Sequence, residues 1–139
     1  MKIYTMKEVC EETHMTYQTL KYYCNEGLVP NVKRDKNNHR IFDEKDVRWI
    51  KDLICLKKCD MSIEEMKIYL NMCLEGESTI PARKELLVKK QNALRDSVKE
   101  FEESIAYIDR KQNFYDEILS GKKPYVSNLI SSETVSSFV

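Results

Sequence analysis

The cysteines are the side chains of this 139-residue sequence that are best suited to covalent chemistry. There are five of them: Cys10, Cys24, Cys55, Cys59 and Cys73. An odd number, in a chain with no signal-like apolar segment near its start, indicates free thiols and not a disulfide framework. A thiolate is both a nucleophile and a ligand for soft metals, and Lys51, Lys57 and Lys58 near Cys55 favour that form.

The other reactive residue types are too few for catalysis. Cys55 and Cys59 are four residues apart, on one face of a helix, and two thiolates could hold Zn²⁺ or Cu⁺. A structural zinc site needs four ligands, so we predict no metal site and no cofactor. The only histidines are His14 and His39. Without a Gly-rich phosphate loop or a plausible Ser/His/Asp arrangement, we do not expect an enzyme.

Charge is balanced overall but not locally. The chain has 23 Lys and Arg against 23 Asp and Glu. Between residues 31 and 40, however, four cations face the single acid Asp35; they are Lys33, Arg34, Lys36 and Arg40. Such a patch binds phosphates if the fold presents it beside a groove of DNA.

The composition excludes other classes of protein. Three Gly and three Pro are too few for a turn-rich β-sandwich or barrel. The longest unbroken apolar run, residues 53–56, is far shorter than the roughly 20 residues that span a bilayer. We therefore expect a cytoplasmic, mainly helical protein that does not enter a membrane.

Capping signals predict short helices over the first seventy residues. Thr5 and Glu8 form a capping box for a helix of about eight residues that breaks at Thr13-His14. Thr16 is the next cap, and Gly27 is a left-handed stop. Two short helices joined by about three residues indicate a helix-turn-helix, and the alternative is a helical hairpin packed on a core.

Two extended segments flank residues 35–38 of the basic stretch, so residues 29–42 are expected to form a β-hairpin. A basic hairpin directly after a helix-turn-helix is a wing, whose cations reach phosphates. The alternative is a solvated loop. Asp43 then caps a third helix and Ser62 a fourth.

The second half has the periodicity of a coiled coil. From Pro81 to Leu119 no Gly or Pro intervenes, and apolar residues recur in two series of sevens. The helix, capped by Ser78 or Thr79, would be about 58 Å long, and a second copy is the simplest partner for its apolar stripe. We predict a homodimer with an interface at Leu87, Leu94, Val98, Phe101, Ile105, Ile108, Tyr115 and Leu119.

These elements predict three segments. Residues 1–75 form the DNA-binding domain, and residues 76–119 the linker and dimerisation helix. Residues 120–139, rich in Ser, are expected to be a flexible tail. In the DNA-binding domain the start of the second helix should enter the major groove, with Thr16, Tyr17, Gln18 and Lys21 in contact with DNA.

Several motifs resemble the MerR family of transcriptional regulators. They are Thr19-Leu20-Lys21-Tyr22-Tyr23, Glu26-Gly27-Leu28-Val29-Pro30, Asn38-His39-Arg40-Ile41-Phe42 and Met61-Ser62-Ile63-Glu64-Glu65-Met66, and the resemblance covers residues 3–119. It implies a winged helix-turn-helix followed by a long antiparallel dimerisation helix. It also implies double-stranded promoter DNA as the partner, which the dimer distorts so that RNA polymerase can engage it.

The resemblance also extends the predicted DNA contacts and marks two departures. One ring of Tyr22 and Tyr23 should lie on phosphates and the other towards the core. The wing should hold the DNA backbone through Lys33, Lys36, His39 and Arg40. His14 stands where the family usually has Gly in the turn, and His39 where it usually has an aromatic residue.

Residues 49–58, 74–79 and 82–83 look like the MerR branch that responds to aldehydes and other thiol-modifying electrophiles as a stress signal. That branch carries its key cysteine in the third helix, where Cys55 falls. One alternative is that Cys55 is simply a packing thiol. Another is a non-covalent ligand in a pocket between the DNA-binding domain and the coiled coil, lined by Tyr69, Phe101 and Tyr107.

Overall fold

The structure, a computed structural model, describes residues 2–131. Residues 132–139 of the expected tail lie outside this range. The elements are β1 (Tyr4–Thr5), α1 (Met6–Thr13), α2 (Tyr17–Asn25), β2 (Lys33–Arg34), β3 (Arg40–Phe42), α3 (Glu44–Lys58), α4 (Ile63–Glu75), a 3₁₀ turn (Glu77–Thr79) and α5 (Ile80–Leu119). The prediction of a mainly helical fold with a small wing and a long final helix is confirmed.

Side-chain caps determine where the first four helices begin. Thr5, Thr16, Asp43 and Ser62 each accept a hydrogen bond from the backbone N–H three residues later. At three of the four, all but Thr16, the acidic residue at that position reaches back to the cap to complete a capping box. These local bonds satisfy amides that the first helical turn leaves free, which is why the sequence pattern located them correctly.

The turn between α1 and α2 is closed by a left-handed residue. His14 has φ 61° and ψ 21°, a conformation that favours glycine because it has no Cβ. The hydroxyl of Thr13 donates to the carbonyl of Val9 at 2.7 Å and closes the last turn of α1. Gly27, at φ 77°, ends α2 as predicted.

The sheet has three antiparallel strands in the order β1-β3-β2. β2 and β3 are the predicted hairpin, with Lys33 opposite Ile41. β1 was not predicted, because it has only two residues, one of which is the cap of α1, and so short a segment carries no strand periodicity. It pairs Thr5 with Ile41, so the wing is attached to the start of α1.

One apolar core joins the helices to the sheet. Its fully buried large side chains include Leu20 of α2, Phe42 of β3, Ile50 and Leu53 of α3, and Met66 of α4. Two polar links tie the segment after α2 to later helices. The indole N–H of Trp49 donates to the carbonyl of Leu28 at 2.7 Å, and Lys67 pairs with Glu26 at 2.9 Å. The core thus fixes α2 against the wing.

The chain divides into two compact units at Leu94 and Arg95, and α5 begins in the first unit and ends in the second. In the first unit Leu86 packs against the core, and Lys90 pairs with Glu65 of α4 at 2.9 Å. The first unit therefore includes three turns or more of α5 beyond residue 75.

At the joint between α4 and α5, the side chain of Thr79 does not have the role expected from the sequence, where it was a candidate cap for α5. The Thr79 hydroxyl lies 2.6 Å from the carbonyl oxygen of Met72 and 2.7 Å from that of Gly76, so it closes the end of α4 and does not cap α5. Arg83 adds an Nη2 hydrogen bond of 2.6 Å to the Gly76 carbonyl. Thr79 is the last residue of the 3₁₀ turn that leads directly into α5, and its hydroxyl points towards the end of α4.

Among residues 2–131, no helix combines the length and apolar character needed to cross a membrane.

Replacing His14 with Gly should stabilise the protein. The left-handed conformation costs a side chain about 1 kcal/mol or more, and the extra freedom of Gly in the unfolded chain offsets part of the gain. We expect the free energy of unfolding in urea to rise by roughly 0.5 kcal/mol. His39→Gly is the matched control, since His39 does not have positive φ, and it should not stabilise. If the His14→Gly variant is less stable than wild type, the backbone of His14 is not strained.

The ion pair of Glu65 and Lys90 predicts an acid-sensitive contribution to stability. The Lys90 ammonium donates a hydrogen bond to the Glu65 carboxylate and holds the pKa of Glu65 below its ordinary value of 4.5. A lowered carboxyl pKa stabilises the folded state above the unfolded pKa, and this contribution disappears as pH falls through the folded pKa. The difference in unfolding free energy between wild type and Glu65→Gln should therefore be largest at neutral pH and shrink below pH 4.5. A difference independent of pH would rule the pair out as its cause.

Candidate DNA-binding surface

The first turns of α2 present polar and aromatic side chains to solvent. Thr16 is occupied as a cap: its hydroxyl accepts from the Thr19 N–H at 3.1 Å and donates to the Thr19 hydroxyl at 2.8 Å. Tyr17 is 56% exposed, and Gln18 and Lys21 are exposed as well. The face opposite the core therefore offers an aromatic ring, an amide and a cation.

The two tyrosines have different environments. Tyr22 is 47% exposed, while Tyr23 is 4% exposed and belongs to the core. Burial raises the pKa of the Tyr23 hydroxyl. The ring of Tyr23 is packed in the core, which agrees with the expectation that one of the two rings points inwards, and only Tyr22 stays a proposed DNA contact.

A groove of about 350 Å³ separates α2 from the wing. Its walls include Lys7 of α1, Tyr17 of α2, and Arg34, His39 and Arg40 of the wing. The groove thus brings four basic side chains next to an exposed ring. Lys7 and Arg34 are not among the contacts predicted from the sequence. Arg34 belongs to the basic stretch, and Lys7 joins this surface because β1 pairs with β3.

The tip of the wing is organised around one carboxylate. Asp35 Oδ1 accepts from the backbone N–H groups of Asn37 and His39, both at 2.9 Å, and its Oδ2 lies 3.9 Å from His39 Nδ1. Asn38 has φ 63° and completes the turn. The only acid of the basic stretch is therefore bonded within the turn, while Lys33 and Lys36 remain exposed.

A direct hydrogen bond joins the wing to α2. Nη2 of Arg40 donates to Oδ1 of Asn25, the last residue of α2, at 2.7 Å. No sequence signal pointed to Asn25, because the two residues are fifteen positions apart and the bond depends on the tertiary fold. Cys24 lies nearby, and burial raises the pKa of its thiol, although the charges of Arg40 and Arg34 act in the opposite direction.

Lys33 faces the start of α3. The pKa of the Asp43 carboxyl is lowered, mainly by the hydrogen bond that it accepts from the Asp46 backbone N–H. The charge of Lys33 contributes to the same lowering. The neighbouring Asp46 is buried, and that burial raises its pKa. Lys33 is therefore partly compensated by carboxylates, unlike Lys36 at the tip of the wing.

Cys55 is the exposed thiol among the five cysteines, and the other four are half-buried. It lies near the end of α3. Of the three lysines expected to favour its thiolate, Lys51 pairs with Glu12 of α1 at 3.5 Å, while Lys57 and Lys58 are exposed.

The three residues expected to line a ligand pocket have different surroundings. The ring of Tyr69 stacks on Trp49 in the first unit, with centroids 6.4 Å apart and planes 4° apart. Phe101 and Tyr107 are exposed side chains of the second unit. A separate cavity of about 470 Å³ lies between α4 and the first turns of α5, with Ile68, Met72 and Leu86 in its walls.

Comparison with known proteins decides the family. A model described as MerR HTH family regulatory protein matches residues 4–73, about half of the chain. The chain belongs to the MerR family. It is therefore a DNA-binding transcriptional regulator, and the MerR-type motifs identified in the sequence are confirmed.

Individual relatives of this MerR-family chain are regulators, not enzymes. An HTH-type transcriptional regulator of Haemophilus influenzae is 31% identical over 112 residues, which span 81% of this chain and 83% of that protein. AdhR of Bacillus subtilis is 36% identical over 87 residues, 63% of this chain and 62% of AdhR. The fold matches HiNmlR, a MerR family regulator lacking the sensor domain and bound to promoter DNA, with a TM-score of 0.71 and 29% identity over 86% of this chain and 94% of HiNmlR.

Proposed function

We propose that this MerR-family chain is a homodimer that binds promoter DNA through α2 and the wing and changes the shape of the promoter in response to modification of Cys55. RNA polymerase is then an indirect partner, which responds to the altered promoter. The observation that carries the proposal is that Tyr17, at the exposed start of α2, lies around one groove with Arg34, His39 and Arg40 of the wing. The structure of HiNmlR bound to promoter DNA supports DNA as the ligand.

On the DNA side, the side chains fall into two classes. Tyr17, Gln18 and Lys21, with the capping Thr16, are proposed to read the major groove because they project from the start of α2. Tyr22 and the wing cations are proposed to hold phosphates, which gives affinity and register but little sequence preference. The wing set is Lys33, Lys36, His39 and Arg40, to which the groove adds Lys7 and Arg34.

The case for a homodimer comes from α5. This helix of 40 residues has no buried residue. Phe101 is 68% exposed and Leu119 85%, and the other predicted interface residues are exposed apart from the half-buried Leu94. A continuous apolar stripe on a long helix is stable in water when another surface covers it. A second α5 in antiparallel orientation has the matching length and periodicity.

The case for Cys55 as the sensor combines exposure with similarity. Cys55 is an exposed residue, and the chain is similar to AdhR over a stretch of 87 residues. An aldehyde or another thiol-modifying electrophile would attach covalently at the end of α3, a helix that packs on α1 and β3 in the DNA-binding core. Such a change biases two promoter-bound states if it fits one better than the other.

The cavity between α4 and α5 favours a second candidate function. Its volume of about 470 Å³ is within the usual range for small-molecule sites, and its walls combine Ile68, Met72 and Leu86 with Glu65 and Lys90. A non-covalent ligand bound there would touch the joint between the DNA-binding domain and α5. The regulator would then respond to ligand bound in this cavity and not to modification of the Cys55 thiol.

Arg40 and Asn25 provide a paired test of the DNA surface. Arg40→Ala should weaken binding to all sequences and reduce the magnitude of the salt slope by about one, because one phosphate contact is lost. Asn25→Ala should weaken binding by roughly three- to tenfold, because the guanidinium loses the partner that orients it. In the Arg40→Ala background, Asn25→Ala should have no further effect.

These affinities would be measured on DNA from upstream of the gene for this protein. Lys122→Ala, just after the end of α5, is the matched control and should bind as wild type does. An unchanged salt slope for Arg40→Ala would contradict the wing assignment, and additive losses would contradict the role of Asn25.

Ile105→Asp should dissociate the homodimer. A carboxylate placed in an apolar interface is costly to bury without a partner, so sedimentation at micromolar concentration should report monomers. Asn113→Asp, an exposed position outside the two apolar series, should leave the wild-type dimer intact. If the Ile105→Asp variant sediments with the same mass as wild type, α5 does not form the interface through this stripe.

Cys55→Ser should abolish induction by an aldehyde while leaving DNA binding unchanged. Cys10→Ser is the matched control, since burial raises the pKa of the Cys10 thiol and disfavours its thiolate. Promoter activation would be compared for the three proteins, and the adduct located by mass after treatment with an aldehyde or iodoacetamide. Equal activation of wild type and Cys55→Ser would remove the thiol sensor and favour the non-covalent ligand.

A further inference from the structure

Cys55 and Cys59 form a pair of free thiols one helical turn apart. The backbone N–H of Cys59, which caps the end of α3, donates to the carbonyl of Cys55 at 3.1 Å. Cys55 is exposed and Cys59 half-buried. Residues at this spacing are neighbours on the helix surface, with Cβ atoms about 5–6 Å apart. The spacing of four residues is visible in the sequence, and the structure shows that the helical hydrogen bond from Cys59 to Cys55 is formed.

This spacing is wrong for a disulfide but suitable for a bridging atom. A disulfide requires Cβ atoms roughly 3.5–4.5 Å apart, so the last turn of α3 would have to unwind. That turn is held by hydrogen bonds from the N–H groups of Cys59 and Met61 to the carbonyl of Leu56, at 3.1 and 3.2 Å, and Met61 is buried in the core. A soft atom between the two sulfurs spans the longer gap with the helix intact.

The surroundings also limit the coordination number. Within residues 2–131 there is no group of three or more His, Cys, Asp or Glu side chains that could hold a metal ion. An ion that needs four protein ligands, such as Zn²⁺, therefore has no complete site at this pair. The chemistry that fits is a thiol-seeking centre that takes two sulfurs from the protein and brings its own remaining substituent.

We propose that Cys55 and Cys59 together bind an organic trivalent arsenical as a two-sulfur chelate. In this step the two arsenic–oxygen bonds of the hydrated arsenical, R–As(OH)₂, are replaced by two arsenic–sulfur bonds. Each thiol proton leaves with a hydroxyl as water, and arsenic stays trivalent, so no oxidant or reductant is needed. The inference rests on Cys55 as the reactive thiol of the proposed function and adds Cys59 as its second ligand.

The position of the pair gives such binding a route to α5. The residue after Cys59 is Asp60, which has φ 65° and whose carbonyl accepts from Lys90 Nζ at 3.3 Å. Lys90 belongs to α5 and also pairs with Glu65. A chelate across Cys55 and Cys59 therefore fixes the turn that leads directly into a contact with the first part of α5.

The test uses phenylarsine oxide on the full-length reduced protein in the presence of a large excess of a monothiol, followed by intact mass measurement. The monothiol removes arsenic held by one cysteine but not arsenic held by two. Wild type should retain one phenylarsenic group in place of two thiol protons and lose it to a small dithiol. Cys55→Ser and Cys59→Ser should retain none, whereas Cys10→Ser, Cys24→Ser and Cys73→Ser should each behave as wild type.

A second variant separates geometry from folding. Cys59→Ser combined with Lys57→Cys restores the number of thiols but places the second one two residues from Cys55, on another side of the helix, and it should not retain arsenic. Retention by Cys59→Ser, or by this double variant, would overturn the chelate. DNA binding and aldehyde induction are measured separately, so failure of the proposed function would leave wild-type retention of arsenic intact, and failure of the chelate would leave DNA binding intact.

Discussion

The apolar stripe on α5 is the constraint on which the proposed function depends. A helix of 40 residues without a single buried residue leaves Phe101, Ile105, Ile108 and Leu119 in water. Side chains of this kind contribute to stability only when another surface removes them from solvent. A regulator that reads two half-sites needs a rigid spacer between two reading heads, and pairing of two such helices supplies it. The contact between two α5 helices would therefore bury the stripe and also set the distance between the two DNA-binding domains.

The DNA-binding core works on a smaller scale. Its buried side chains hold α2 against α1 and α1 against β3, so that Tyr17, Arg34, His39 and Arg40 lie around one groove. The hydrogen bond from Arg40 to Asn25 connects the two parts directly, while Asp35 bonds within the tip of the wing and Lys33 and Lys36 stay exposed. The net charge of zero conceals this local excess of cations, because the balancing acidic residues lie mostly outside residues 31–40.

Local chemistry explains what the sequence could predict. The caps at Thr5, Thr16, Asp43 and Ser62 and the breaks at His14 and Gly27 depend on neighbours within four residues, and each was located correctly. Features that depend on distant partners were missed or wrong. β1 exists only because β3 lies beside it, and the Thr79 hydroxyl bonds to the end of α4. Asn25 gives no sequence signal, since its role depends on Arg40.

The antiparallel pairing of α5 can be measured most directly as a distance between two identical spin labels in the assembled protein, each introduced as an unnatural amino acid so that the cysteines stay native. If the two apolar stripes overlap fully, labels at Glu103, near the middle, should lie within about 20 Å of each other, and labels at Asp116 roughly 40 Å apart, at 1.5 Å per residue. Short distances at both positions would indicate parallel helices, and no dipolar coupling at either would indicate a monomer. Both results would contradict the account.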